Sequence, residues 1–470
     1  MNKCTPAIYR YFLTVIGVLG LISCSSINTV DHTKFRPLPV TVLVTNTNLL
    51  SENGDSIIAN QNILIRNGVI EEISSTPIRA DLALKVDGRN RYLIPGLIDS
   101  HVHLQESEND LLVYLAHGIT SVREMSGNDD HIEWREEIRN GRAGPSIEIS
   151  SEKISSKSGL WGFINEVFWH RINVSSESQA IDLIEDLKAD GYDNVKIASD
   201  INKPMYLAVT KAANQQGLRI VGHIPSSISF EDFINSGQKE IAHIEEIVKT
   251  LNIEFGYFTT STGDSFLNFV TRRSDEIASV LKKQQIAVGT TLWYMQSIPE
   301  QVTNLNGLIE QLDLSYTNPV RVKQWMPESN EFSNNHAHLN NWWPIFVKAN
   351  EIVLTALIKH DVIILAGTDS MASLVVPGLS MHQELEALVN SGMSPQQALK
   401  SATSIPANWM SKRTGKIAVG YSADLVLLNE NPLTNISATK DIRGVMHQGR
   451  YYDHNLLNKM LDNIKKAYHE

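Results

Sequence analysis

Between residues 97 and 402, short apolar runs alternate with amphipathic stretches of helical period, and nothing else in the chain limits its fold as strongly. Eight such runs are legible, near 97–99, 119–123, 146–150, 195–198, 220–223, 241–243, 286–292 and 362–367. Helical pattern fills the intervals, most clearly at 177–189, 204–216, 275–284 and 351–359. Eight βα units in series predict a (β/α)8 TIM barrel over residues 96–404, with functional groups at the C-terminal ends of its strands. The rhythm breaks once, after the seventh strand. There residues 296–343 form a long stretch rich in Asn and Trp, and a barrel loop of that length is a candidate lid.

On either side of the barrel the text is different. From 37 to 95 it consists of short alternating segments, such as Val40-Thr41-Val42-Leu43-Val44 and Asn62-Ile63-Leu64-Ile65-Arg66, the latter followed by Asn67-Gly68, a strong hairpin turn. Strand-like text returns over 405–455, as in Ala423-Asp424-Leu425-Val426-Leu427-Leu428. The two pieces predict a small flanking β-sandwich built from both chain ends, with a helix over 456–470. The 470 residues are 42% hydrophobic and 20% charged, which excludes a disordered chain or a disulfide-stapled miniature. The formal charge is −11, and no block of five or more basic residues offers a footprint for nucleic acid. A small-molecule substrate is the expected partner, and a homo-oligomer stays open.

Residues 1–23 read as an export signal. Lys3 and Arg10 lead into an apolar stretch, 11–22, that is too short to span a bilayer, which takes about 20 helical residues. The ending Leu21-Ile22-Ser23-Cys24 resembles a bacterial lipobox. That resemblance implies cleavage before Cys24 and lipidation of its sulfur, with residues 24–36 as a polar tether. Ser25 in the next position then implies an outer-membrane lipoprotein facing the periplasm. The alternative is an ordinary secretory signal in which Cys24 is incidental. Cys4 and Cys24 are the only cysteines, so a mature lipoprotein could form no disulfide.

The chemistry begins at Leu97-Ile98-Asp99-Ser100-His101-Val102-His103, where two histidines at i and i+2 on a strand face the same side and can reach one cation. Lys196, His223, His243 and Asp369 each fall at the end of another predicted strand. A packed barrel interior does not accommodate that many ionisable side chains, so a shared site at one mouth is the simpler account.

These segments, together with Gly222-His223, Ala242-His243-Ile244-Glu245, Ala366-Gly367-Thr368-Asp369-Ser370 and Gly420-Tyr421-Ser422-Ala423-Asp424, resemble the amidohydrolase superfamily. Within it they are similar to the branch of imidazolonepropionase-like enzymes and metal-dependent Xaa-Pro dipeptidases. The resemblance implies a centre of two divalent ions, with zinc suited to the donor set and manganese, cobalt or iron as substitutes. His101, His103 and Asp369 would hold one ion and His223 and His243 the other, with Lys196 as a carboxylated bridge. A mononuclear site in which Lys196 pairs with a carboxylate is the alternative. Hydrolysis of an amide by a hydroxide held between the ions would follow, with Asp369 moving the proton and His243 assisting.

Substrate contacts are expected at the strand ends. Arg123, Arg272 and Arg273 are candidates for a carboxylate, and His170, Tyr257, Tyr294, Trp161, Trp169 and Trp293 for the rest of a pocket. A dipeptide or an N-acyl amino acid is the expected substrate. If the arginines are instead ion-paired, a neutral pocket would suit lactones, phosphoesters or cyclic amides, and a binding lipoprotein without catalysis is the remaining class. The Gly-Gly-His-Gly of dipeptidase relatives is absent, because Ser158-Gly159-Leu160-Trp161-Gly162 stands in its place. A second His-x-His, His336 and His338, lies in the long insertion and reads as a solvated pair, and His382 reads as structural.

Overall fold

The computed structural model describes residues 28–469, except 105–106, 158, 160–161, 163–165, 167–169 and 333–339. Cys24 and the signal segment, Trp161, Trp169, His336 and His338 therefore lie outside the described residues. Among the described residues, no helix is long and apolar enough to cross a membrane.

Eight parallel strands stand where the apolar runs fall: β1 (Leu97–Val102), β2 (Ile119–Glu124), β3 (Ser146–Ile149), β4 (Asn194–Ile197), β5 (Arg219–Gly222), β6 (Glu240–Ile241), β7 (Ala287–Gly289) and β8 (Ile364–Leu365). They pair as β1-β2-β3, as β4-β5 and as β6-β7-β8. Backbone hydrogen bonds join the edges of these sheets. Ser151 N donates to Asn194 O (2.9 Å), Ala242 N to Gly222 O (2.9 Å) and Asp369 N to His101 O (2.8 Å). Strand seven ends earlier than expected, because Thr291 takes a left-handed backbone (φ +46) and Leu292 already begins a helix.

Two further strands, Lys153–Ser155 and Arg171–Asn173, were not legible in the sequence. They pair with each other, and the first also pairs with β4. Each is three residues long and carries polar side chains, so neither shows a period.

The helices follow local rules. Glu177–Ala189 is capped by Ser176, whose side chain accepts from Gln179 N. Lys203–Gln216 has Asn202 as cap and Pro204 in its first turn, and it ends at Gly217 with φ +70. Ala180, Ile184, Leu187, Val209 and Ala213 from this pair pack on Val195 and Ile197, the outward-facing residues of β4. Each buried Ile, Leu or Val among them contributes about 1.5–3 kcal/mol.

The insertion after β7 is largely helical. Leu292–Glu310 and Pro319–Trp325 pack Leu305, Leu308 and Trp325 on Leu374 and Val376 of the loop after β8. Gln301 and Asn330 reinforce that contact by donating to the carbonyl and hydroxyl of Ser373.

The flanking unit takes strands from both chain ends. Read as a sandwich, it is hydrogen-bonded as one eight-stranded sheet, in which Tyr92–Pro95 lies between Val42–Leu50 and Leu425–Leu428. The segment read as a tether also docks: Val30 and Phe35 are buried in the main core, and Val30 N donates to Asn109 Oδ1. The last helix, His454–His469, buries Leu457, Met460 and Ile464 and packs on Asn109–Ala116.

Close approach of strands demands glycine at two points near the mouth. Gly222 has φ +115, and a Cβ there would lie 2.5 Å from Ile197 O. A Cβ on Gly367 would lie 2.8 Å from both the Cβ and the backbone N of His101. Gly367→Ala should therefore cost about 1–3 kcal/mol through overpacking. Denaturant titration will measure this, and an unchanged midpoint would show that β1 and β8 do not meet so closely.

Candidate metal centre

Six side chains named in the sequence analysis as ligands sit at the C-terminal ends of β1, β4, β5, β6 and β8. His101 Nε2 is 3.3 Å from Asp369 Oδ1 and 3.1 Å from Lys196 Nζ. His103 Nε2 is 3.2 Å from the same Asp369 oxygen. The rings of His101 and His243 lie 4.5 Å apart, and those of His243 and His223 lie 5.4 Å apart. Ligand atoms of His101, His243 and Asp369 all fall within 4.8 Å of one another, the spacing of groups able to share a cation.

Two of the candidate ligands are oriented by hydroxyl neighbours. His223 Nδ1 meets Ser199 Oγ at 2.9 Å and His243 Nδ1 meets Thr291 Oγ1 at 3.1 Å, which leaves both Nε2 atoms facing inward. Glu124, fully buried at the end of β2, holds one oxygen 3.5 Å from His103 Nδ1. It accepts from the backbone N atoms of Leu104 and Ser126. Asp99 accepts from His101 N, Thr368 N and Thr368 Oγ1. Glu384 accepts from Thr290 Oγ1, Leu292 N and Trp293 N, fixing the turn that carries Thr291. Burial pushes the carboxyls of Asp99 and Glu384 up to about 7, although these donors pull the other way. Sequence reading gave no role to Glu124, Asp99 or Glu384, and only the DSHVH segment offered a hint, through Asp99.

Burial sets the protonation states. It drives His101 and His223 well below the ordinary imidazole value and His243 down to about 4. All three are then neutral, the form that binds metal. Burial, and next the nearby Lys153, push the Lys196 amine far down, toward the unprotonated state that can add CO2. For Asp369, burial acts upward, but coupling to His101 and a hydrogen bond from His103 act downward and carry its carboxyl well below the ordinary value. Asp369 itself adopts φ +57, a strained conformation for a non-glycine residue, and the hydrogen bond from its N to His101 O pins it there.

A cation fits this donor set. Four imidazoles and one carboxylate converge while being too dehydrated to carry several protons. The Nδ1 atoms of His101 and His103 are buried without a hydrogen-bond partner among the described residues. Lys196 is fully buried, and its Nζ touches an imidazole rather than a carboxylate.

The candidate substrate contacts fare differently. Arg123 is 1% exposed; it forms a two-pronged ion pair with Glu240 and donates from Nε to Ser100 O. Its guanidinium also lies 4.7 Å from the Trp409 ring, so it is a structural residue of the strand interior. Arg273, on the long helix Gly263–Gln284, pairs with Glu276 of the same helix and with Glu254 of the helix Ile244–Phe255, and Arg272 faces solvent. The charge of Arg273 is thus matched on its own surface. Tyr257 is 68% exposed, and His170 is exposed with its nearest carboxylate, Glu152, at 4.0 Å. Tyr294 is half-buried and within electrostatic range of Asp369, and Trp293 is half-buried against the main core. His382 is buried on Thr439, consistent with a structural role. Arg123→Met should cost about 3–5 kcal/mol, because it strands the Glu240 carboxylate in the interior. Chemical denaturation will test this, and a fully stable variant would free Arg123 for substrate.

Comparison with known proteins agrees with this geometry. The chain is similar in structure to a bottromycin amidohydrolase, with 20% identity, a TM-score of 0.74 and 95% of each chain covered. It is also similar to a Xaa-Pro dipeptidase with methionine bound in its active site (19% identity, TM-score 0.61, 88% of this chain and 100% of that one). These likenesses show a shared fold. Ochratoxinase from Aspergillus niger is 35% identical over 94 residues, or 19% of this chain, and the match spans only 18% of that relative's length. The amidohydrolase family pattern matches residues 92–451, most of the sequence, and the chain therefore belongs to the amidohydrolase family.

Proposed function

We propose that the protein is a metal-dependent hydrolase of an amide bond, built on a closed (β/α)8 barrel. The observation that carries this reading is the convergence of His101, His103 and His243 on the single carboxylate of Asp369, with Lys196 beside it. His101, His103 and Asp369 would hold one divalent ion, and His223 and His243 a second. Lys196, as its carbamate, would join the two, and zinc suits this nitrogen and oxygen set. When bound, the ions would supply Lewis acidity and an activated water.

The chain's own residues do the rest. Asp369, kept ionised by its imidazole neighbours, accepts the water proton on Oδ and delivers it to the departing nitrogen. Ser199 and Thr291 hold His223 and His243 in fixed tautomers. Beside His223, the residues Ile224, Pro225, Ile228 and Phe230 form the apolar part of a hollow that Ser199, Glu246, Lys249 and Glu254 also line.

A dipeptide or N-acyl amino acid is the substrate class proposed. The ion pairing of Arg123 and Arg273 favours a second reading, a neutral pocket for lactones or cyclic amides. Assays on dipeptides, N-acetyl amino acids and lactones will separate the two, and turnover of lactones alone would sink the amide reading. Metal analysis of protein purified without chelator should approach two ions per chain. Asp369→Asn should retain metal yet lose about 10²-fold or more in kcat, the usual share of general acid–base catalysis. A near-normal kcat would remove Asp369 from proton transfer.

The signal segment supports export as an outer-membrane lipoprotein anchored through Cys24. Metabolic labelling with a palmitate analogue should mark the natural chain and not Cys24→Ser; equal labelling of both would refute the anchor.

A further inference from the structure

Three parallel strands carry a row of basic residues across the mouth. Arg171 pairs in register with Lys153, and Ile154 pairs with Ile197, so that Lys153 lies beside Lys196 on the neighbouring strand. Ile154 and Ile197 both face outward into the helix layer. Alternation along a strand then turns Lys153 and Lys196 to the opposite face, where the metal-centre candidates lie. Lys196 is fully buried and touches His101. Lys153 is half-buried as a residue, and burial of its amine pushes its pKa down from the ordinary lysine value.

The like charges of Arg171 and Lys153, set side by side in the sheet, repel, and each needs a counter-charge. Arg171 has Asp200 at 2.8 Å. Lys153 makes no hydrogen bond or ion pair among the described residues, although its charge is felt at Asp369, Lys196 and His223. Of the arginines that the sequence offered for a carboxylate, Arg123 is engaged with Glu240 and Arg273 with Glu254, and Arg272 faces solvent on the long helix Gly263–Gln284. A cation without a direct partner, partly desolvated and next to the candidate centre, is what an anionic substrate group requires.

We infer that Lys153 is the residue that binds the free carboxylate of the substrate, so that the site selects amides bearing an acid on the leaving amino acid. This rests on the amide-hydrolase reading above and narrows it. The recognised chemistry is one carboxylate close to the scissile amide, held by a single ammonium as a point charge rather than by a guanidinium fork.

The test uses the metal-loaded protein, N-acetyl-leucine, and N-acetyl-leucinamide as the same molecule with its carboxylate masked. In the natural protein the acid should have the higher kcat/KM. Lys153→Met should lower the acid-to-amide ratio of kcat/KM about 10- to 100-fold, the range for a hydrogen bond to a charged group. The change should fall mainly on KM for the acid, and Lys153→Arg should restore part of it. Metal content and circular dichroism of each variant should match those of the natural protein. If Lys153→Met does not fold, Lys153→Arg and Lys153→Gln carry the comparison.

Equal losses on both compounds would overturn the inference, because Lys153 would then serve the metal centre rather than the substrate. Calorimetric binding of the same two compounds gives a reading that needs no turnover. Binding of the acid that weakens only in the variants supports the inference. Equal binding of both compounds by the natural protein overturns it, even if amides are hydrolysed. Absence of amide hydrolysis together with acid-selective, Lys153-dependent binding would overturn the hydrolase reading and leave the carboxylate site standing.

Discussion

The candidate centre hangs on one buried carboxylate, that of Asp99. It takes hydrogen bonds from His101 N on its own strand and from the backbone and hydroxyl of Thr368, 269 residues further along the chain. That single side chain fastens the first parallel strand to the last. His101 and His103 come from one side of this joint and Asp369 from the other, so Asp99, with the backbone bonds from Ser100 N to Ala366 O and from Asp369 N to His101 O, sets their spacing before any ion arrives. Ser370 adds a second stitch, with Tyr114 donating to its Oγ at 2.6 Å and His103 N reaching the same oxygen at 3.3 Å.

This arrangement explains how a strained turn persists. Asp369, Met371 and Leu374 all have positive φ within six residues, a run that an isolated loop would relax. Here the Asp369 amide is held by His101, Thr368 by Asp99 and Ser373 by the inserted helices. The strain is over-determined from three directions, as in sites where geometry matters more than local stability. The insertion after β7 thus acts as a buttress for the loop that presents Asp369.

Much of this was legible in the sequence, because it rests on local pattern. Period-2 and period-3.6 runs placed the parallel strands, and the candidate ligands announced themselves by falling at strand ends. What escaped was everything decided by partners distant in sequence. Arg123 read as available for substrate because nothing near it hints at Glu240, 117 residues away. Glu124 and Glu384 were silent for the same reason: a carboxylate at a strand end or within a helix has no local mark of the histidine or turn it supports. Lys153 was missed because its strand is three residues long and shows no alternation. The tether reading failed on Val30 and Phe35, two apolar residues in polar text whose docking surface lies around Asn109.

The sheet made from both chain ends has a consequence in time. Tyr92–Pro95 finds one neighbour in Val42–Leu50, early in the chain, and its other in Leu425–Leu428, which leaves the ribosome some three hundred residues later. Until then one edge of that strand stays open, with Leu93 and Ile94 bound for the core and its main-chain groups unsatisfied. Such long-range pairing slows folding, since loop closure must precede the contacts that reward it. The N-terminal strands cannot complete their sheet before the last strands have been made, so the early part of the chain stays unlocked through most of synthesis.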